Sequence, residues 1–308
     1  MSVKNGEKYL KYSIESILNQ SFKNFEFIIV NNNSNDKTQE ILEYYRKLDN
    51  RIKILNNYNN QNLFKGRLTA IKLVKYEWFA LMDADDICEY ERLEKQIDFI
   101  NKSKINKLAV VSTFAKYIEK NEKKIGNRIG GPTNLIEFDE IYKNNESFLV
   151  VDPSSLINKK AFFECEGYSE NTEVDDIAFY YKVAENGYII QTIPEFLYNY
   201  RIHNSSYSIN NTILQRYLTH FINFNMRSRR SKQKEISIDE FKKNHWNKLS
   251  YKMPRLILDY SLSFYRNAGY AYLEQKYFRF IFCLFASFFL SPNIIAKKLF
   301  RTFLKNKY

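Results

Sequence analysis

Trp78-Phe79-Ala80-Leu81-Met82-Asp83-Ala84-Asp85-Asp86 is the stretch that decides how the chain is read. Five apolar residues in a row suit a strand buried on both faces of a parallel sheet, and carboxylates follow it at once. In open α/β sheets, ligands bind at the carboxyl edge of the strands. Carboxylates crowded at such an edge repel one another unless a cation sits between them. Mg2+ or Mn2+ holding a diphosphate fits, because these ions take few protein oxygens and fill their shells with water and phosphate. The plainer alternative is an Asp-rich turn that caps the next helix.

Working outward, helical and strand signals alternate as they do in a parallel sheet covered by helices. Leu10, Ile14, Ile17 and Leu18 recur at helical spacing, and Phe25 to Val30 reads as a buried central strand. Asp36 followed by Gln39 predicts a capping box, opening a helix through Ile41, Leu42 and Tyr45 to about Leu48. Ile52 to Leu55 is the next strand, and a helix through Leu68, Ile71 and Val74 leads into Trp78 to Met82. Arg92 to Ile100 is helical again. In outline this is a nucleotide-binding half-sheet.

Composition sets the bounds. With 308 residues, 44% of them apolar, the chain can bury a large core and is not a disordered segment. Its 47 Lys and Arg against 35 Asp and Glu give a formal charge of +12, which favours anionic partners without choosing among nucleotides, lipid surfaces and nucleic acid. Cys88, Cys165 and Cys283 are widely spaced and fit no metal pattern, so reduced packing thiols in a cytoplasmic setting are expected. From the opening residues no cleavable signal sequence is expected.

Several ordered motifs together resemble the inverting family 2 glycosyltransferases of the GT-A fold, over roughly residues 1–210. The opening SVKNGEKYLKYSIESILNQSFKNFEFIIV resembles the family's first strand, Asn-Gly turn, helix and second strand. VNNNSNDKT resembles the VDDGSTDKT loop, and DADD matches the metal-binding Asp-x-Asp motif. GYSENTEVDDIAFYYKVAENGY resembles the acceptor-side segment ending in a Glu-Asp pair, here Asp175 and Asp176. YRIHNSSYS resembles the YRxHxxSxS segment that ends many family catalytic domains. The resemblance implies an α/β, mostly parallel Rossmann-like sheet with flanking helices over residues 1–210, and a helical, basic and aromatic region over 211–308.

The implied reaction is metal-dependent transfer of a sugar from a nucleotide-diphosphate donor to a hydroxyl of a glycan or lipid-linked acceptor, in surface polysaccharide or lipopolysaccharide synthesis. Asp176, with Asp175 beside it, is expected to be the general base; without the resemblance, the pair reads as the acidic first turn of a helix. Asn31, Asn32, Asn33, Arg67, Asp83 and Ser206 are expected at the donor, and Asp85, Asp83 and His203 at Mn2+ or Mg2+. Pro153, Ser154 and Ser155 read as ordinary turn residues, with a strand edge near the acceptor as the other reading.

Departures from the family pattern are plain. The chain opens at Met1-Ser2-Val3, so most of the first central strand is expected to be absent. Asn31, Asn32 and Asn33 stand where acidic residues are usual, and an uncharged amide binds a base N–H more weakly. These departures motivate an alternative, a catalytically weak nucleotide-sugar-binding protein. A nucleic-acid binder explains the charge and the 24 Tyr and 25 Phe, but the acidic DADD cluster repels a phosphate backbone.

Past residue 210 the composition shifts. Arg227, Arg229, Arg230, Lys232 and Lys234 make a basic run, and Phe280 to Leu290 is an apolar run too short for the roughly 20 residues of a membrane span. In the segment from Asn293 to Lys305, Ile295, Leu299, Phe300 and Phe303 oppose Lys297, Lys298, Arg301 and Lys305. That pattern predicts a helix lying on an anionic membrane surface, and so a peripheral place on the inner face of the cell membrane. The other reading is a C-terminal helix packed on its own domain.

Overall fold

A computed structural model describes residues 1–58, 63–168, 175–203, 212–273, 275–296 and 299, and the chain divides into units of Met1–His203 and Asn204–Tyr308. In the first unit, β1 (Ser2–Val3), β2 (Phe27–Asn31) and β3 (Ile52–Asn56) form a parallel sheet in that order. Every residue of β2 is buried, as its unbroken apolar run demands of a central strand. Helices α1 (Leu10–Leu18), α2 (Thr38–Leu48) and α3 (Leu63–Leu73) alternate with these strands. Leu10, Ile14 and Ile17 of α1 pack with Ile29, Leu42 and Ile52 in one core, the consequence of their helical spacing.

The second sheet is mixed. It contains β4 (Trp78–Ala80), β5 (Ile87–Cys88), β6 (Leu108–Ile118), β7 (Lys124–Arg128), β8 (Leu156–Asn158) and β9 (Ile189–Arg201). The order is β4-β8-β6-β9-β5, with β7 paired to β6. β6 and β9 run parallel, while β8 is antiparallel to both β4 and β6. The two sheets touch where Ser2 bridges Asp83 in parallel, so the carboxylate stretch emerges at their junction. Between them lies an apolar groove of about 350 Å³ whose walls include Phe27, Ile28, Phe79 and Leu81. Helices α4 (Arg92–Lys102), α5 (Leu135–Lys143), α6 (Lys159–Glu164) and α7 (Asp175–Glu185) complete the unit. Cys88, Cys165 and Cys283 are free and buried.

The expected capping box at Asp36 and Gln39 does not form. The N-cap of α2 is Lys37, without a side-chain cap bond. Asp36 instead accepts the N–H groups of Glu7 and Thr38, tying the Asn-Gly turn to α2, and Gln39 accepts from Asn31. Both side chains find tertiary partners that outcompete the local motif.

The second unit holds α8 (Thr212–Arg230), α9 (Ile238–Phe241), α10 (Leu249–Leu273) and α11 (Tyr277–Leu290). α9 opens on a reciprocal capping box of Ser237 and Glu240. Buried Asp259 of α10 accepts from Arg216 of α8 at 2.6 Å. Ser261 and Ser287 exchange hydroxyl-to-carbonyl bonds of 2.8 and 2.7 Å, which fasten α10 to α11. Much of the sequence expected to form a helix at 293–305 lies outside the described residues, and Ile295, expected on its membrane-facing side, is instead buried, so that position packs inside the protein.

Candidate active site

The turn after β4 is fixed on every side. Buried Asp86 accepts the Arg201 N–H at 2.8 Å, and its carbonyl accepts the Ser13 hydroxyl at 2.6 Å. The Arg201 guanidinium donates to the Asp85 carbonyl at 2.7 Å and stacks over Tyr9. Burial pushes the Asp86 carboxyl well above the ordinary range, with the charges of Asp85 and Asp83 adding to the effect. Asp86 therefore anchors the turn, which leaves Asp83 and Asp85 as its candidate ligand-binding carboxylates.

Those two aspartates have different partners. Asp83 Oδ1 receives Arg67 Nη2 at 2.6 Å, and the Asp83 N–H donates to the Tyr198 hydroxyl at 3.2 Å. Asp85 Oδ2 lies 2.8 Å from His203 Nε2. The structure thus brings Asp85 and His203 together and holds Asp83 on Arg67, instead of gathering all three. Among the described residues there is no cluster of three or more metal-ligand side chains. A carboxylate and an imidazole still fit Mn2+ or Mg2+ when diphosphate and water supply the other ligands. The Tyr9 ring sits 5.2 Å from His203, and its buried hydroxyl has no partner among the described residues. An orphaned hydroxyl next to such a pair is consistent with a polar ligand there.

Arg67, expected at the donor, holds two carboxylates at once. Its other arm donates to Asp152 Oδ2 at 2.7 Å, so one planar fork joins two carboxylates. Asp152 Oδ1 in turn accepts the hydroxyls of Tyr180 at 2.7 Å and Tyr168 at 3.1 Å. Asp152 was missed by the sequence reading, which took the neighbouring Pro153, Ser154 and Ser155 as a simple turn. They form a buried single-turn helix over Asp152–Ser154, with Ser154 bonded to Ser112 and Thr113. The only sequence signal was a carboxylate preceding Pro in an otherwise apolar run, Phe148-Leu149-Val150-Val151.

Asp176, in the first turn of α7, shares this field. Burial and the neighbouring charge of Asp152 push its carboxyl up to about 6, against the pull of the Ile177 N–H, Arg67 and Arg128. Arg128 of β7, also missed, stacks over Tyr200. A carboxylate titrating there is ionised at neutral pH and more basic than an ordinary aspartate, as a general base requires. The side chain of Asp175, and Ser206 altogether, lie outside the described residues.

The three asparagines divide in role. Asn31 and Asn32 are buried. Asn31 binds Gln39 and Ser34, while Asn32 binds Ser2 at 2.6 Å and Asn57 at 3.2 Å. A Cβ on Gly66 would come within 2.6 Å of the Asn32 side-chain amide, so only glycine lets α3 lie this close. Asn33 is exposed and left-handed, with φ of 53°. Beside the loop opens a cleft of about 190 Å³ lined by Asn31, Asn33, Ser34, Gln39, Asn56 and Tyr58. Its walls are amides, a hydroxyl and one aromatic ring, which suit a planar, hydrogen-bonding ligand. Gln39, Asn56 and Tyr58 were not expected from sequence.

The chain is similar to known glycosyltransferases in sequence and in fold. The sequence profile of Glycosyl transferase family 2 matches residues 1–165. The uncharacterized glycosyltransferase MJ1057 of Methanocaldococcus jannaschii is 33% identical over 201 residues, 64% of this chain and 67% of that one. The O-antigen biosynthesis glycosyltransferase WbnJ of Escherichia coli is 29% identical over 238 residues, 72% of this chain and 91% of that one. A further relative from Haemophilus influenzae is matched over 64% of its length. Among solved structures, S. aureus TarS 1-349 in complex with UDP-GlcNAc superposes with a TM-score of 0.57 at 18% identity, over 91% of this chain and 87% of that one. The mannosyltransferase PcManGT of Pyrobaculum calidifontis, in complex with GDP-Man and Mn2+, gives 0.57 at 11% identity, over 93% and 84%. These superpositions establish the GT-A fold, and the profile match establishes that the chain belongs to glycosyltransferase family 2.

Proposed function

We propose that this glycosyltransferase moves a sugar from a nucleotide-diphosphate donor to a hydroxyl of a glycan or lipid-linked acceptor, with inversion, in the synthesis of a surface polysaccharide. The observation that carries this reading is the Arg67 fork, which joins Asp83 after β4 to Asp152 and lies in the field of Asp176. Donor-side and acceptor-side carboxylates thereby share one fixed cation. The acceptor oxygen attacks the anomeric carbon while the bond from that carbon to the diphosphate oxygen breaks. Asp176 takes the hydroxyl proton, and the nucleoside diphosphate leaves with the bonding pair. Displacement in one step inverts the anomeric centre and puts no sugar on the protein.

Asp85 and His203 would hold Mn2+ or Mg2+, which supplies charge neutralisation at the diphosphate. Asp83, kept in place by Arg67, is positioned for the donor ribose. The amide-lined cleft at Asn33, Gln39 and Tyr58 is the seat proposed for the base. The names of relatives such as WbnJ support a polysaccharide acceptor, and the basic second unit supports an anionic membrane surface as a partner.

A thermal-shift panel of UDP-, GDP-, CMP- and dTDP-sugars with and without Mn2+ tests the donor half, since a ligand of the native state raises its melting temperature. One nucleotide class should give a shift that Mn2+ enlarges. No shift with any of the four would overturn the donor assignment. Proton NMR of the first product formed checks the stereochemistry, and a retained anomeric configuration would exclude direct displacement.

A further inference from the structure

Helix α11 is built inside out. Its buried positions are the small ones, Cys283 and Ser287, facing an α10 seam that includes Ser261, Ala268 and Ala271. Most of its large side chains lie on the other side: Phe278, Ile281, Phe282, Phe285, Phe288 and Phe289 are 46 to 89% exposed, although the Phe282 ring also meets Phe264 of α10 edge-on and Phe280 meets Tyr272. At 3.6 residues per turn these six fall within an arc of about 120°. In water the opposite arrangement is expected, with the aromatic stripe inside. Small residues at a helix seam, joined by serine hydroxyl-to-carbonyl bonds, are what helices use when the surrounding phase is apolar.

We infer that this aromatic face of α11 seats in the interfacial layer of an anionic bilayer. Fourteen residues make a helix of about 21 Å, short of the roughly 30 Å of a hydrocarbon core. Among the described residues no helix is long and apolar enough to cross a membrane. The face therefore lies in the membrane surface and does not span it. Charge selects the occupant. Residues 204–308 carry 19 Lys and Arg against 5 Asp and Glu, so a second copy is repelled and anionic lipid is attracted. Exposed Arg279 follows Phe278 directly, beside the stripe. The inference deepens the membrane part of the proposed function by naming the contact face, and it does not depend on the catalytic part.

The test is flotation of the full chain with vesicles of phosphatidylglycerol and phosphatidylcholine in equal parts, and with phosphatidylcholine alone. Wild type should float with the anionic vesicles. A variant with Phe278→Ser, Phe285→Ser and Phe289→Ser should lose at least about tenfold in partitioning, with unchanged far-UV circular dichroism, since burial of those rings drives interfacial binding. A second variant replaces Lys297, Lys298, Arg301 and Lys305 by Gln. If only that variant detaches, the protein binds membranes but α11 is not the face, and the inference fails. If wild type floats with neither vesicle, the membrane reading itself falls. If the phenylalanine variant instead turns a lipid-free dimer into a monomer, the face joins two copies, and the inference is again overturned.

Discussion

Residues 1–203 bury charge, while residues 204–308 expose aromatic rings. In the first unit Arg92, Arg201, Asp86 and Asp152 are all buried, and 28 Lys and Arg nearly balance 30 Asp and Glu. In the second, the balance is 19 against 5, and phenylalanines of α11 face outward over a seam of small residues. Each arrangement is costly unless something meets it. Buried charges need partners, and the first unit supplies them through forks and backbone bonds. A fixed set of charges is also what stabilises developing charge in a reaction. An outward aromatic face needs an apolar phase, which the described residues do not supply.

The largest effect expected from breaking this contrast is at Arg67. Arg67→Met leaves the carboxylates of Asp83 and Asp152 without their cation, and urea denaturation should show a loss of about 3–5 kcal/mol. Arg67→Lys should recover only part of it, since an ammonium cannot bridge both carboxylates with a planar fork. Recovery to wild-type stability would show that charge alone, not the fork, holds the site.

In the second unit the seam should be sensitive and the face tolerant. Ser287→Leu overfills the contact with Ser261 and should cost about 1–3 kcal/mol.

Asp176 links site chemistry to stability. Its folded pKa of about 6 is raised above the usual aspartate value, so its ionised form is disfavoured in the folded state at neutral pH. That penalty is full above about pH 6 and is relieved progressively as pH falls from about 6 to the ordinary aspartate value near 4. Asp176→Asn should therefore stabilise the protein at pH 8 by about 1–2 kcal/mol, below the unscreened value for a two-unit shift because the site is partly open to solvent. The gain should shrink to about half by pH 5 and vanish only below about pH 4, as melting curves across that range would reveal. A variant equally stable or less stable at pH 8 would contradict the raised pKa. The smallest effect is at the exposed face, where Phe285→Ser should change stability in lipid-free buffer by less than about 0.5 kcal/mol. A large loss there would mean that α11 packs on that side too.

Much of this was legible in the sequence, and what was not has physical causes. The helix at Leu10 to Leu18 and the strand through Ile29 announce themselves by period and run length, whereas Trp78 to Met82, read as a strand buried in a parallel sheet, forms only the three-residue edge strand β4, antiparallel to β8. Asp85 and His203, 118 positions apart, could be paired only through resemblance of the HNSS segment to a known motif. Asp152 was invisible because its meaning lies in Arg67, 85 positions away, and in two tyrosines downstream. Gln39 misled for the same reason, since a capping signal was diverted to Asn31. The apolar run from Phe280 to Leu290 revealed a helix but not which side it buries. Small Cys283 and Ser287 decide that, against the rule that the largest apolar groups go inside.

The most direct test of the central claim compares donor binding and sugar transfer in Asp176→Asn. Loss of a general base costs about 10²–10⁴ in rate without touching the ground-state donor contacts. The variant should bind the nucleotide sugar and respond to Mn2+ as wild type does, yet transfer about a thousandfold more slowly. Wild-type kcat/KM should fall tenfold per pH unit below about 6, because only the ionised carboxylate accepts the proton. Undiminished transfer by Asp176→Asn would contradict the account.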